Sequence, residues 1–390
     1  MEKIFALIGV FVFVGLGYLM SVDKKNINWK SVGIAFAGQF ILALLLIKTP
    51  LWETVGVMSN AVSWLIAQSG EGINFVFGGL VPEGGYTMFI NALLPIVFIS
   101  ALMGLMFHFG ILQAIIGFIG KTLAKFLDVD TLVAVNNVTN MFFGQSDSLF
   151  VTKSYLPKAS DSAIFATLVG GMTSISVTVV GLYASMGADM NWIIISLPLT
   201  VISTFVLTQI VMPTKYQGDK IEIENDKGVN AIETMMKYAT TGFQGVIGIS
   251  VALMVFISIV AMINNFLGLF IDGMTLQKII GVVFYPLSVL MGVSGDELGM
   301  VSQILATKFI TNEAVAFGMP EFMMLSANCK AMMTIALCGF AGIGSIGILI
   351  GSYQAIAPNK VKVVARIGFK ALIVATLVNI MTAAVVGIIL

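Results

Sequence analysis

Two short stretches hold most of the side chains able to do chemistry in a chain where about one residue in ten is charged: "GQSDS" at 144–148 and "TNEA" at 311–314. In the first, Gln145 offers an amide donor pair and an acceptor, which match a complementary amide or imide edge. Ser146 adds a hydroxyl, and Asp147 a carboxylate able to accept two hydrogen bonds. In the second, Glu313 stands beside Asn312; either carboxylate could accept two hydrogen bonds such as a vicinal diol supplies. Each stretch has a lysine nearby, Lys153 in one case and Lys308 in the other, whose plainer role would be to neutralise the acid. Phe142, Phe143 and Phe340 supply flat apolar surface on which a ring could rest, and Ser174, Ser176 and Ser345 supply further hydroxyls. No arginine lies in these stretches or in the broken segments that follow them, which argues against a phosphorylated or dicarboxylate ligand. A neutral, hydroxylated, ring-bearing solute fits the inventory.

Such groups need positioning elements, and the composition says what those are. Apolar residues make up 58% of 390, with 28 Phe and 24 Met, and the mean hydropathy is +1.00. That is the composition of an all-α integral membrane protein. Twenty basic and twenty acidic residues cancel, so a nucleic-acid partner is not expected. Apolar runs long enough to cross a bilayer occur near the N-terminus and at roughly 31–48, 87–107, 160–186, 191–212, 240–270, 322–355 and 362–390, about eight spans. Shorter, punctured runs at 50–68, 112–127, 129–156 and 275–318 read as interfacial helices or re-entrant hairpins. Lys24, Lys25 and Lys30 place the first loop inside, as Lys360, Lys362 and Arg366 place the last. Both termini are then expected outside a multi-pass protein of the inner or plasma membrane, with the linker at 213–228 inside.

The polar stretches sit at breaks. "DTLVAVNNVTNMFF" runs in, Gly144 permits a turn, and "QSDSLFVTKSYL" runs out; "LGMVSQILATKFITNEAVAFG" does the same around Thr311, Asn312 and Glu313. Each is followed by a span interrupted by small residues, "GGMTSISVTVVG" (170–181) or "GFAGIGSIGILIG" (339–351), and by one closing span. Hairpin, broken span and closing span thus occur twice, about 170 residues apart. Broken helices at corresponding positions of two halves point to a transporter's central binding site; the glycines of these segments could alternatively serve only close helix packing. The chain divides accordingly. Residues 1–86 hold N-terminal spans and an interfacial helix, and 87–127 a third span and a second interfacial helix of the scaffold. Repeat 1 occupies 128–212, a linker with a long scaffold helix and an interfacial helix 213–282, and repeat 2 283–390.

Other classes fit less well. An intramembrane enzyme would need a nucleophile with a base, or a metal cage; the sole histidine, His108, has no evident acidic partner and reads as interfacial. A channel would need a polar stripe along its spans, whereas polarity gathers at two tips. Cys329 and Cys338 lack metal-ligand spacing and read as small buried hydrophobes. Lys121 and Lys125 read as interfacial anchors. No cofactor is implied.

The residues resemble the concentrative nucleoside transporter family. Its first signature, Gly-Gln-Ser/Thr-acid, matches Gly144, Gln145, Ser146 and Asp147; its second matches Ala306, Lys308, Asn312, Glu313, Ala314, Val315 and Ala316. The resemblance implies a homotrimer of eight-span protomers with two re-entrant hairpins, in which a transport domain slides like an elevator against a scaffold. It implies that Gln145, Ser146 and Asp147 read the nucleobase, that Glu313, with Asn312 beside it, takes ribose hydroxyls, and that Phe340 and Ser345 serve the ribose side. It places a coupling cation, sodium favoured over a proton, between the Asn140 side chain, the Ser174 hydroxyl and backbone carbonyls near Phe143 and Ile175; a proton would instead travel on Asp147. The family's usual Asn two residues after Phe340 is Gly342 here, so one ribose contact should be missing or replaced by water. Asp147 stands for the usual Glu, and Ala314 for a Phe. With Gly144, these departures lean towards purine nucleosides. The alternative reading is a paired-hairpin transporter for another neutral polar ring-bearing solute.

Overall fold

The computed structural model describes residues 1–80, 85–218, 221–223 and 228–390. Part of the 213–228 linker, and the boundary expected at 86, therefore adjoin or include positions outside the described residues. The described chain is all-helical: α1 (Glu2–Leu19), α2 (Trp29–Lys48), α3 (Leu51–Phe77), α4 (Pro95–His108), α5 (Ile111–Leu127), α6 (Thr131–Val151), α7 (Asp161–Thr173), α8 (Val180–Ser185), α9 (Met190–Val211), α10 (Ala231–Gly268), α11 (Leu276–Met291), α12 (Glu297–Ile310), α13 (Glu313–Phe317), α14 (Pro320–Met324), α15 (Ala327–Leu337), α16 (Ile343–Ile356) and α17 (Val361–Ile389).

Among the described residues, seven stretches are long and apolar enough to cross a membrane: Glu2–Leu19, Trp29–Lys48, Phe89–His108, Asp161–Ser185, Met190–Val211, Ala231–Gly268 and Pro358–Ile389. The eighth expected span, 322–355, is not one helix. Extended backbone at Leu325 and Ser326 and again at Gly342 divides it into α14, α15 and α16, and neither α15 nor α16 reaches the length a bilayer requires. The expected segment 50–68 extends further than its hydropathy implies, as the single helix α3 to Phe77. At 38 residues, α10 is about 57 Å long at 1.5 Å per residue, nearly twice a hydrocarbon core. It packs along α4 through small residues: an added Cβ at Gly242 would lie 2.5 Å from Ser100 Oγ, and one at Gly104 would lie 2.7 Å from Tyr238 Cβ.

Side-chain ties sort the helix ends into two faces. On one, Asn28 Nδ2 donates to Asp128 (2.7 Å), the Glu222 N–H donates to Tyr155 (2.9 Å), and Asn359, Lys360 and Arg366 reach Pro157 O, Ala159 O and Asp161. Loop residues Lys24 and Lys25, the described part of the linker and the start of α17 all belong to this basic face. On the other, Glu2 meets Ser294, and Lys48 donates to the carbonyl of Leu390 at 3.3 Å. Both termini thus lie at the same end of the bundle.

Against these faces the two repeats run in opposite directions. Helices α6 and α7 begin at the basic face, beside Thr214 and Arg366. Helices α12 and α15 begin at the opposite one, where Glu297 accepts from the Ser326 N–H and hydroxyl. The repeat is inverted, as in transporter folds built around a central site.

Candidate functional site

Helix α6 is two helical halves joined at Gly144, where the chain folds back on itself. Gly144 has φ +81° and ψ 179°, a conformation that costs an L side chain heavily and glycine little. Beyond it the chain reverses: Asn136 Nδ2 donates to Ser148 O (3.2 Å) and Thr152 Oγ1 (3.3 Å). Residues 16 apart on a straight helix would be about 24 Å apart, so the two halves lie side by side as a hairpin. In repeat 2, Thr311 (φ −108°, ψ −97°) ends α12, and Asn312 starts α13 by accepting from the Val315 N–H at 2.9 Å. Helix α13 then packs back against α12.

The broken spans meet these tips. Extended Ser174 ends α7, and Ser176 caps the next turn while donating to Phe142 O at 2.8 Å. A Cβ at Gly144 would sit 3.4 Å from Ser176 Cβ and 3.5 Å from Phe340 Cε2, so the first tip touches the bends of both broken spans. Gln145 Nε2 donates to Ser345 Oγ (3.3 Å), a bond between repeats, and Ser345 in turn donates to Phe340 O.

Together these bends enclose one cavity of about 440 Å³. All seven residues expected to touch substrate line it: Gln145, Ser146, Asp147, Asn312, Glu313, Phe340 and Ser345. Asp147 faces the opening and makes no hydrogen bond or ion pair among the described residues. Gln145 Oε1 is buried without a partner. The Lys308 ammonium does not form an ion pair with Glu313 within 4 Å; it donates to Ala336 O at 2.6 Å. Lys308 thus makes a backbone contact while its charge still acts on Glu313 from beyond 4 Å.

The four residues expected around a cation lie behind the first tip. Asn140, Ser174 and Ile175 are buried, and Phe143 borders the cavity. With its amide turned to satisfy its neighbours, Asn140 donates to Gly144 O (3.2 Å) and to Ser148 Oγ, and accepts at Oδ1 from the Gly171 N–H (3.2 Å). An amide oxygen has two lone pairs, so one remains. The Ser174 hydroxyl donates to Gly170 O at 3.2 Å, which leaves its oxygen lone pairs free to accept. The donor set is oxygen-only and uncharged, which suits a hard monovalent cation better than a transition metal. Among the described residues no His, Cys, Asp or Glu cluster could hold a metal ion.

Residues 8–80 match the family described as Na+ dependent nucleoside transporter N-terminus, residues 192–387 match its C-terminus, and residues 89–190 match the family described as nucleoside recognition. The chain belongs to the Na+ dependent nucleoside transporter family. An uncharacterised transporter of Haemophilus influenzae is 34% identical over 99% of this chain and 98% of its own length. Nucleoside permease NupC of Helicobacter pylori is 29% identical over 99% and 97%. A solved structure of CNTnw in an inward-facing substrate-bound state has a TM-score of 0.94 at 31% identity, covering 100% of this chain and 99% of that one. A variant of CNTnw solved in an outward-facing state has a TM-score of 0.93. Membership makes the chain a nucleoside transporter and not an enzyme.

In this nucleoside transporter two parts of the cavity wall escape a motif reading. Tyr183, on α8, is fully buried, stacks on Phe317 (4.9 Å between centroids) and donates to Glu313 Oε1 at 2.8 Å. One face of α10 supplies Thr241, Gln244, Gly245, Gly248, Ala252 and Phe256. The spacing of three and four residues, with a glutamine and small residues inside an apolar span, is the signal that marks this face. Gly342 also acquires a reason. A Cβ there would lie 2.9 Å from Thr311 O and 3.1 Å from Lys308 O, so the second hairpin occupies the space an Asn would need. His108 Nδ1 lies 2.9 Å from Thr234 Oγ1, an uncharged partner away from the cavity. Both cysteines are buried and free, and Lys121 and Lys125 are exposed on α5.

Proposed function

We propose that this chain is a secondary active transporter that imports nucleosides by cation symport, with sodium as the coupling ion and purine nucleosides preferred. The observation that carries this reading is the single cavity onto which the tips of two inverted hairpins and the bends of two broken spans converge. Gln145, Ser146 and Asp147 read the base edge there, and Glu313 takes the ribose diol with Phe340 and Ser345 beside it. Asn312 shapes the second tip by capping α13. Sodium sits between Asn140, Ser174 and the carbonyls of Phe143 and Ile175, and its site shares the first tip with the base. Binding of cation and nucleoside is thereby coupled through one element.

Alternating access follows from sliding the hairpins and broken spans as a unit along a scaffold formed by α4 and α10 in a homotrimer. Structures of CNTnw in inward-facing and outward-facing states support this reading. The name of one relative, purine nucleoside transport protein NupG of Bacillus subtilis, 26% identical over 98% of both chains, supports the preference for purines. So do the short Asp147 side chain and Gly144, which leave room at the base end. The basic face is cytoplasmic, and both termini lie outside.

Radiolabelled inosine and uridine uptake into liposomes, under an inward sodium gradient, an inward proton gradient or neither, tests all of this. Sodium-driven accumulation of inosine above uridine is expected. Proton-driven accumulation would move coupling to Asp147, whose carboxylate has no partner among the described residues. Absence of gradient-dependent uptake by folded protein would refute symport of these nucleosides.

A further inference from the structure

The two repeats are not chemically equivalent behind their tips. Gly144 and Asn312 each precede the second half of a hairpin, with ψ of 179° and 175°. Four residues before them stand Asn140 and Lys308, 1% and 3% exposed. Each reaches the last turn of the helix that begins its own broken span. Asn140 Oδ1 accepts from the Gly171 N–H, three residues before the residue that ends α7, whereas Lys308 donates to the Ala336 carbonyl, two residues before the residue that ends α15. The last carbonyls of a helix carry its negative end and favour a cation. Repeat 1 offers a neutral amide at this place, and repeat 2 a covalently attached ammonium.

An ammonium buried at membrane depth is costly, and Glu313 offsets that cost only from beyond ion-pair distance. The hydrogen bond of Lys308 goes to the backbone of the broken span. The same hairpin backbone closes on Gly342 so tightly that no side chain fits between. Resting on the symport reading above, we propose that Lys308 is a tethered cation: it holds the second hairpin to the second broken span permanently, as the diffusible cation holds the first. Only repeat 1 then responds to the ion gradient, and one cation crosses with each nucleoside.

The test measures net charge moved per nucleoside in liposomes, for wild type and for Lys308→Ala and Lys308→Met. Wild type should move one positive charge per nucleoside. Lys308→Ala should lose about tenfold or more of its uptake, the scale of leaving buried carbonyls without their donor, and propylammonium should restore part of it, since it replaces the deleted atoms. Tetramethylammonium, which has no N–H, should not. Lys308→Met fills the same space without a charge and should stay defective with either amine. Two charges per nucleoside, wild-type uptake by Lys308→Met, or a folded Lys308→Ala indifferent to propylammonium would each overturn the assignment. If neither variant folds, the wild-type charge ratio decides it. Absence of gradient-driven uptake by wild type would instead refute the symport reading itself.

Discussion

Tyr183→Phe isolates the phenol hydrogen bond to Glu313, the carboxylate proposed to take the ribose. The phenol donates to Glu313 Oε1 at 2.8 Å, and its ring stacks on Phe317 with 25° between planes. Replacement by Phe keeps the ring, its burial and the stack, and deletes only the hydroxyl. A carboxylate has about four acceptor sites, so Tyr183 orients Glu313 while leaving positions for a diol. Hydrogen bonds to charged groups contribute about 1.5–3 kcal/mol, which corresponds to roughly tenfold to 150-fold in affinity. Glu313 borders a cavity of about 440 Å³, where water can replace the lost donor, so the effect should fall near tenfold. Equilibrium binding of inosine to purified protein measures it directly, and thermal unfolding should change little because the packing is retained. Affinity within twofold of wild type would show that Glu313 needs no positioning. Tighter binding would show that the phenol competes with the ribose, and either result refutes the reasoning.

Glu313→Gln should nearly abolish uptake with insertion into the membrane unchanged, checked by uptake per mole of folded protein; the amide loses the charge and replaces one acceptor oxygen by a donor, which weakens the proposed bonds from a diol. Asn140→Ala should raise the sodium concentration needed for half-maximal uptake about tenfold, more than it lowers stability, since it removes one of the proposed oxygen ligands; an unchanged sodium dependence would mean that the cation binds elsewhere. Gly342→Asn should lower uptake by roughly tenfold or more, because a Cβ 2.9 Å from Thr311 O must displace the hairpin backbone and overpacking typically costs about 1–3 kcal/mol. Wild-type uptake by that variant would show that the second hairpin moves aside easily.

What the amino-acid order reveals here depends on whether a residue acts through its neighbours in the chain. The tips are local events: a glycine before Gln145 and a Thr-Asn pair before Glu313 interrupt apolar helices, and the polar side chains follow at once. Their convergence was legible because the same order of elements occurs twice, and the seven proposed contacts do line one cavity. Tyr183 escapes such a reading, since its meeting with Glu313 spans 130 positions and depends on how α8 packs against α13. The α10 face escapes it for another reason, because small residues at helical spacing mark a lipid-side packing seam as readily as a cavity wall. The split of 322–355 was blurred by hydropathy itself. Gly339, Gly342 and Gly344 break a helix without lowering its apolar average, so a window sees one span where the backbone makes two half-helices.

The glycines of the broken spans serve close packing, and that packing sets which polar residues border the bends. An added Cβ at Gly170 would overlap the Asn137 amide, one at Gly171 would lie 3.2 Å from Gln145 Cβ, and one at Gly339 would meet Asn379. In each case the missing side chain brings a polar residue against the bend, where freed carbonyls are available. The consequences differ between repeats. Behind the first tip, Asn137 and one oxygen of Asn136 are buried without hydrogen-bond partners, and Gln145 Oε1 is likewise unpaired. Behind the second, Lys308 donates to Ala336 O, Tyr183 donates to Glu313, and a single amide oxygen, Asn379 Oδ1, is unpaired. Buried polar groups without partners cost about 1–3 kcal/mol each, so the first tip has more to gain from a ligand than the second. An inverted repeat needs that asymmetry if its two gates are to respond differently to one ion: a cation can report its presence only where the protein has not already supplied the charge.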